Sequence, residues 1–174
     1  ATFWRDLPVR EATNVFHVTK RKVSEILDIP LTKYWSGFYR VAPEIELSYD
    51  VVRFTDLIQQ SVVSEPEKAT ELLEYAIELY RGPFLNGINE DTPDWIVNRR
   101  AELREMYGEA LSILARLKQD AGDEDRALGL YLMASKVLRH REELVDQVMQ
   151  IYRHRGKFQD ALDVFSWLED NLKH

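Results

Sequence analysis

The residues most able to do chemistry form a compact basic cluster near the start of the chain, Lys20-Arg21-Lys22, with His17 and Asn14 just before it and Arg40 further on. These types suit a polyanion. Cations neutralise phosphates, and a few side chains of the right shape read base edges. Arg21 is the best base reader, because a guanidinium bonds guanine in two places. His17 lies one turn earlier on the same helical face. Asn14 and Lys22 suit phosphate contacts, and Lys20 adds a third cation. Arg40 suits a minor groove or a phosphate.

Other chemistries are absent from the sequence. There is no Gly-x-x-x-x-Gly-Lys phosphate cradle and no His-Glu-x-x-His pair. His140 and His154 stand 14 residues apart and read as surface histidines. Glu142-Glu143, Asp120, Asp123 and Asp125 read as acids at helix ends and in a loop, favoured by the dipole where they begin a helix. No enzyme, metal site or cofactor is expected. With no cysteine there is no disulfide framework and no cysteine-bound zinc, which fits a reducing cytoplasm. No stretch approaches the roughly 20 apolar residues of a membrane span, and the N-terminus lacks a signal-peptide core. The start at Ala1, without a methionine, suggests a fragment of a longer protein. The net charge of −7 is uneven: residues 1–42 carry +3 and residues 43–174 carry −10. An acidic body repels nucleic acid, so DNA contacts belong to the basic head.

The elements that must position these residues follow from pattern. Trp4 to Pro8 reads as a loop or helix end. A helix is expected over 10–27, with Phe16, Val23 and Leu27 toward the core and His17, Arg21 and Ser24 outward. Lys33–Val41, aromatic and β-branched around Ser36-Gly37, reads as a strand or hairpin. Ile45–Tyr49 alternates and reads as the returning strand. Asp50 caps a helix of 51–62. Ser64 and Glu67 have capping-box spacing before a helix that stops at Gly82-Pro83. A loop spans 84–91. Thr92-Pro93-Asp94 starts a helix that runs to Asp120, with Gly108 as a weak point. A helix of 141–155 lies between two further helices.

Those further helices reveal a repeat. Gly122 and Gly156 are 34 residues apart. The stripe Ala127, Tyr131, Ala134, Leu138 recurs as Ala161, Phe165, Leu168, Leu172, and earlier as Ala69, Leu73, Ala76, Tyr80. The spacing puts each set on one helical face. Trp95, Tyr107, Tyr131 and Phe165 then read as core or inter-hairpin packing. The 34-residue period resembles the tetratricopeptide repeat, whose hairpins bury their apolar faces by stacking. The expected fold class is mainly α: stacked tetratricopeptide-like helical hairpins, preceded by one helix and a β-hairpin, a pair that resembles part of a winged helix on the residues quoted next.

A basic helix followed by a hairpin ending Gly37-Phe38-Tyr39-Arg40 resembles the last half of an OmpR-type winged helix, with Phe3-Trp4-Arg5-Asp6 and Ala12-Thr13-Asn14 leading into it. Phe54, Leu79-Tyr80-Arg81-Gly82-Pro83-Phe84-Leu85, Trp95, Arg99 or Arg100, and Gly156-Lys157-Phe158 with Ala161-Leu162 resemble the bacterial transcriptional activator domain. That domain follows a winged helix directly in the antibiotic-pathway activators of actinobacteria. The resemblance implies two domains, residues 1–49 and 50–174. It implies a DNA-binding transcription activator whose recognition helix holds the basic cluster and whose wing holds Arg40. The partners implied are double-stranded DNA, where the winged helix is complete, and RNA polymerase or another regulator, with a homodimer possible through the helical domain. Three basic residues alone would read as a solvated run; the hairpin and the resemblance reverse that. Lys20 stands where the family has an apolar residue, so its stem packs with the amine at the surface, or the helix is rotated. Leu138-Arg139-His140 replaces the family's usual Asp-Pro. The competing class is a protein- or peptide-binding repeat scaffold without DNA binding.

Overall fold

The computed structural model describes Trp4, residues 6–87 and residues 92–172, with side chains to Trp167. Expectations for Ala1–Phe3, Arg5, the end of the 84–91 loop, and the side chains of Leu168 and Leu172 lie outside the described residues. The chain is mainly helical, with one antiparallel two-stranded hairpin near its N-terminus. It divides into two compact units, residues 1–48 and 49–174.

In the first unit α1 spans Val9–Leu27. Pro8 precedes it, where a missing N–H costs nothing. Asp28 ends it in the left-handed region, at φ 53°, and the backbone N–H groups of Asp28 and Ile29 close on Glu25 and Ser24. β1 is Thr32–Trp35 and β2 is Phe38–Val41. Ser36 and Gly37 both have positive φ, 48° and 90°, the type I′ turn that matches strand twist. The register pairs Thr32 with Val41, Lys33 with Arg40, Tyr34 with Tyr39 and Trp35 with Phe38. Residues 45–49 are not the returning strand; β2 is. The Ser36-Gly37 turn folds the aromatic run on itself, and the Ile45 N–H bonds the Ala42 carbonyl in a turn. Ala12 is buried and Phe16 and Val23 are half-buried, but Leu27 is 52% exposed. Tyr39 reaches α1 at Phe16, His17 and Lys20, well short of Leu27.

Among its described residues the second unit is a run of six helices: α2 Asp50–Val62, α3 Pro66–Leu79, α4 Asp94–Asp120, α5 Glu124–Val137, α6 Glu142–His154 and α7 Phe158–Leu172. Each packs on its neighbours in sequence. The stripes explain why. Ala69, Leu73 and Ala76 of α3 are buried, with Leu73 beside Ala110 and Leu114 of α4. Ala127, Tyr131 and Ala134 of α5, with Leu138 just after it, are buried among Leu111, Ala115, Leu144, Val148 and Ile151. A leucine fully removed from water in such a layer contributes about 2 kcal/mol. The third stripe behaves differently: Ala161 is half-buried and Phe165 is 43% exposed. Phe165 is therefore not core, since no described helix covers that side of α7.

Local signals fared unevenly. Asp50 is the first residue of α2, and its carboxylate accepts the Val51 N–H at 2.8 Å. The expected capping box does not form: α3 starts at Pro66, and the Ser64 hydroxyl donates back to the Gln60 carbonyl at 2.8 Å. α3 also ends before Gly82, because Tyr80 leaves the helix and stacks on Tyr107, ring centroids 4.2 Å apart.

Candidate nucleic-acid interface

The first unit builds a braced helix. Asn14, His17, Arg21 and Lys22 are exposed on α1, and Asn14, His17 and Arg21, spaced i, i+3, i+7, share one stripe. Lys22 lies on the flank of that stripe. Arg21 holds Glu25 one turn on, at 3.4 Å, in an exposed pair that a phosphate can replace. Lys20 is half-buried, and its ammonium lies over the Tyr39 ring, 4.3 Å from the centroid. Its stem packs toward the hairpin and its charge rests on an aromatic face. Tyr39 is also in edge contact with His17, at 5.7 Å, and its hydroxyl lies 3.5 Å from His17 Nδ1. Phe16 completes the brace at 5.3 Å from Tyr39. His17, Lys20, Arg21, Ser24 and Thr32 line an open cleft beside α1.

Arg40 is not brought to this helix. Side chains alternate along a strand, so Arg40 shares the opposite hairpin face with Lys33. Lys33 also pairs with Glu44, whose carboxyl is held below the ordinary carboxylate range mainly by that hydrogen bond. The pairing of Lys33 with Arg40 and the contact of Tyr39 with α1 are neighbours of the candidate residues that the sequence reading does not name. The period-2 pattern that sets Lys33 beside Arg40 was the available signal; the Tyr39 contact needed tertiary geometry.

In the second unit the Leu79–Leu85 motif forms a loop held from α4. Arg100 donates to the carbonyls of Phe84 at 2.7 Å and Leu85 at 2.8 Å, and Leu85 sits at φ 50°. Phe84 meets Trp95 edge to face at 6.3 Å. With Phe54, Leu79 and Leu103 the loop borders a cleft of about 320 Å³. Nearby charges tie helices together. Glu74 of α3 meets Lys118 at 2.9 Å and Arg126 at 3.2 Å. Arg155 joins Glu124 and Asp125, and Arg141 joins Glu105, Glu109 and Glu143. His140 is exposed beside Glu105, and His154 is exposed on α6. Among the described residues no three His, Asp or Glu side chains gather to hold a metal, and no helix is long and apolar enough to cross a membrane.

Residues 49–174 match the family described as bacterial transcriptional activator domain. No curated protein matches the chain. The matched segment is the whole helical unit and well over half of the sequence, so this chain belongs to the bacterial transcriptional activator domain family.

Proposed function

We propose that the chain is part of a DNA-binding transcription activator, with residues 1–49 as the C-terminal part of a winged helix and residues 50–174 as the activator domain. In this reading α1 lies in the major groove. Arg21 reads a base, His17 lies one turn earlier on the same face, Asn14 and Lys22 meet phosphates, and Lys20, over the Tyr39 ring, adds positive charge beside them. The observation that carries it is the exposed Asn14–His17–Arg21 stripe, braced from the side by Tyr39. A solvated charge run needs no such brace. The acidic helical unit adds little DNA affinity and instead meets protein, as RNA polymerase, another regulator or a second copy.

The test is duplex binding against salt, for this chain and for a form extended to complete the winged helix. The extended form is expected to bind with affinity falling steeply in salt. Arg21→Ala should weaken specific binding roughly 10- to 100-fold, as loss of a bidentate base contact does. Unchanged binding by Arg21→Ala removes α1 from the reading role. No duplex binding by either form supports the repeat-scaffold alternative.

A further inference from the structure

The cleft in the helical unit is not explained by packing. It opens where the N-terminus of α2 meets the loop over residues 80–86, and its volume of about 320 Å³ stands at the small end of the range of ligand cavities. Phe54 and Leu103 are buried at its floor, and Tyr80 and Phe84 wall it with rings. The rim is held open at some cost. Leu85 sits in the left-handed region, which a residue with a Cβ resists, and Arg100 holds its carbonyl and that of Phe84. Two opposite charges border the opening, Asp50 and Arg81, both exposed. One Asp50 oxygen accepts the Val51 N–H, which leaves the other for a second donor. Among the described residues no carboxylate pairs with Arg81, and none accepts from the half-buried Tyr80 hydroxyl.

We propose that this cleft binds a free aromatic α-amino acid, with its ring among Phe54, Tyr80 and Phe84, its carboxylate on Arg81 and its ammonium on Asp50. The rings offer aromatic faces and edges to a flat apolar guest. A guanidinium suits a carboxylate, which it holds through two parallel bonds. The opposed charges select the zwitterion. A plain acid gains Arg81 but meets Asp50, and a plain amine gains Asp50 but meets Arg81. The volume admits a bicyclic ring with a short side chain. The site lies inside the helical unit, so it stands apart from the DNA reading.

The experiment titrates the full chain with L-tryptophan, indole-3-propionate, tryptamine and indole, followed by ligand-observed NMR. Each compound is taken to about 5 mM, the range in which so small a ligand binds. L-tryptophan is expected to bind at one site per chain and to raise Tm. The acid and the amine should each bind roughly tenfold more weakly, the effect of losing one hydrogen bond to a charged group, and indole more weakly still. Arg81→Ala should weaken L-tryptophan roughly tenfold and leave tryptamine no worse; Asp50→Asn should do the same and leave indole-3-propionate no worse. Both side chains are exposed, so without ligand the variants should melt as the wild type does, which separates lost binding from lost fold. Equal binding of L-tryptophan and indole overturns the zwitterion site. Wild-type affinity for L-tryptophan in either variant overturns it as well, and so does no binding by any of the four compounds.

Discussion

At the scale of single residues, Gly108 shows how a local rule and a tertiary need can oppose each other. In the interior of α4 a glycine costs about 1 kcal/mol against alanine. Yet a Cβ there would lie 2.4 Å from Leu138 Cγ and 2.7 Å from its Cδ2. Leu138 is 1% exposed and has nowhere to retreat. Gly108→Ala should therefore destabilise the chain by about 1–3 kcal/mol, the usual cost of overpacking, despite the better helix former. Leu138→Ala alone should cost about 2–5 kcal/mol. The double variant should cost clearly less than the two together, because each removes the other's clash or void. Urea unfolding of the four proteins measures this, and strict additivity would show that the two residues do not share the space. The sequence marked Gly108 only as a weak point, since Leu138 lies 30 positions away. Lys20 was partly legible in the same way. Its position implied a packed stem or a rotated helix, and only the ring of Tyr39 shows where its charge rests.

At the scale of elements, the repeat was the most legible feature, because it is written in backbone as well as in side chains. Gly122 has φ 82° and Gly156 φ 68°, and both close the same helix end. Gly122 N–H bonds Gln119 and Asp123 N–H bonds Lys118; Gly156 N–H bonds Arg153 and Lys157 N–H bonds Tyr152. That is one Schellman motif used twice. The copies then diverge at the next residue. The Asp123 side chain caps α5 by accepting the Arg126 N–H at 3.2 Å, whereas Lys157 has no oxygen to offer. Burial diverges too. α5 is enclosed by α4 and α6, while Phe158 is 63% exposed, Leu162 59% and Phe165 43%. Periodicity gives the face of a helix but not whether a neighbour covers it. Amide exchange should follow burial. α7 amides should exchange at least tenfold faster than those of α5 by mass spectrometry, and equal protection would mean that α7 is held by contacts not accounted for by these exposures.

At the scale of the whole molecule, charge and aromatic packing set opposite limits. The helical unit, residues 49–174, carries 16 Lys or Arg against 24 Asp or Glu, so a net −8 remains at its surface after the ion pairs that tie its described helices. Its aromatic interior is less forgiving of alkali. Burial raises the phenols of Tyr80, Tyr107 and Tyr131 above the ordinary value of 10.0, opposed by Arg104 at Tyr80 and by Arg116 at Tyr131, and reinforced at Tyr107 by the phenol of Tyr80. A raised value in the fold means that the unfolded chain loses these protons first. The stability they contribute is complete below pH 10 and falls as the pH climbs through the folded values. The wild-type curve alone does not single out the tyrosines, so a variant must. The Tyr80 and Tyr107 rings lie only 12° from parallel, so phenolates there would face each other. Tyr80→Phe with Tyr107→Phe should keep the stack and flatten the fall in Tm between about pH 9.5 and 11.5 relative to wild type. A curve as steep as that of the wild type would place the alkaline limit outside the stacked rings.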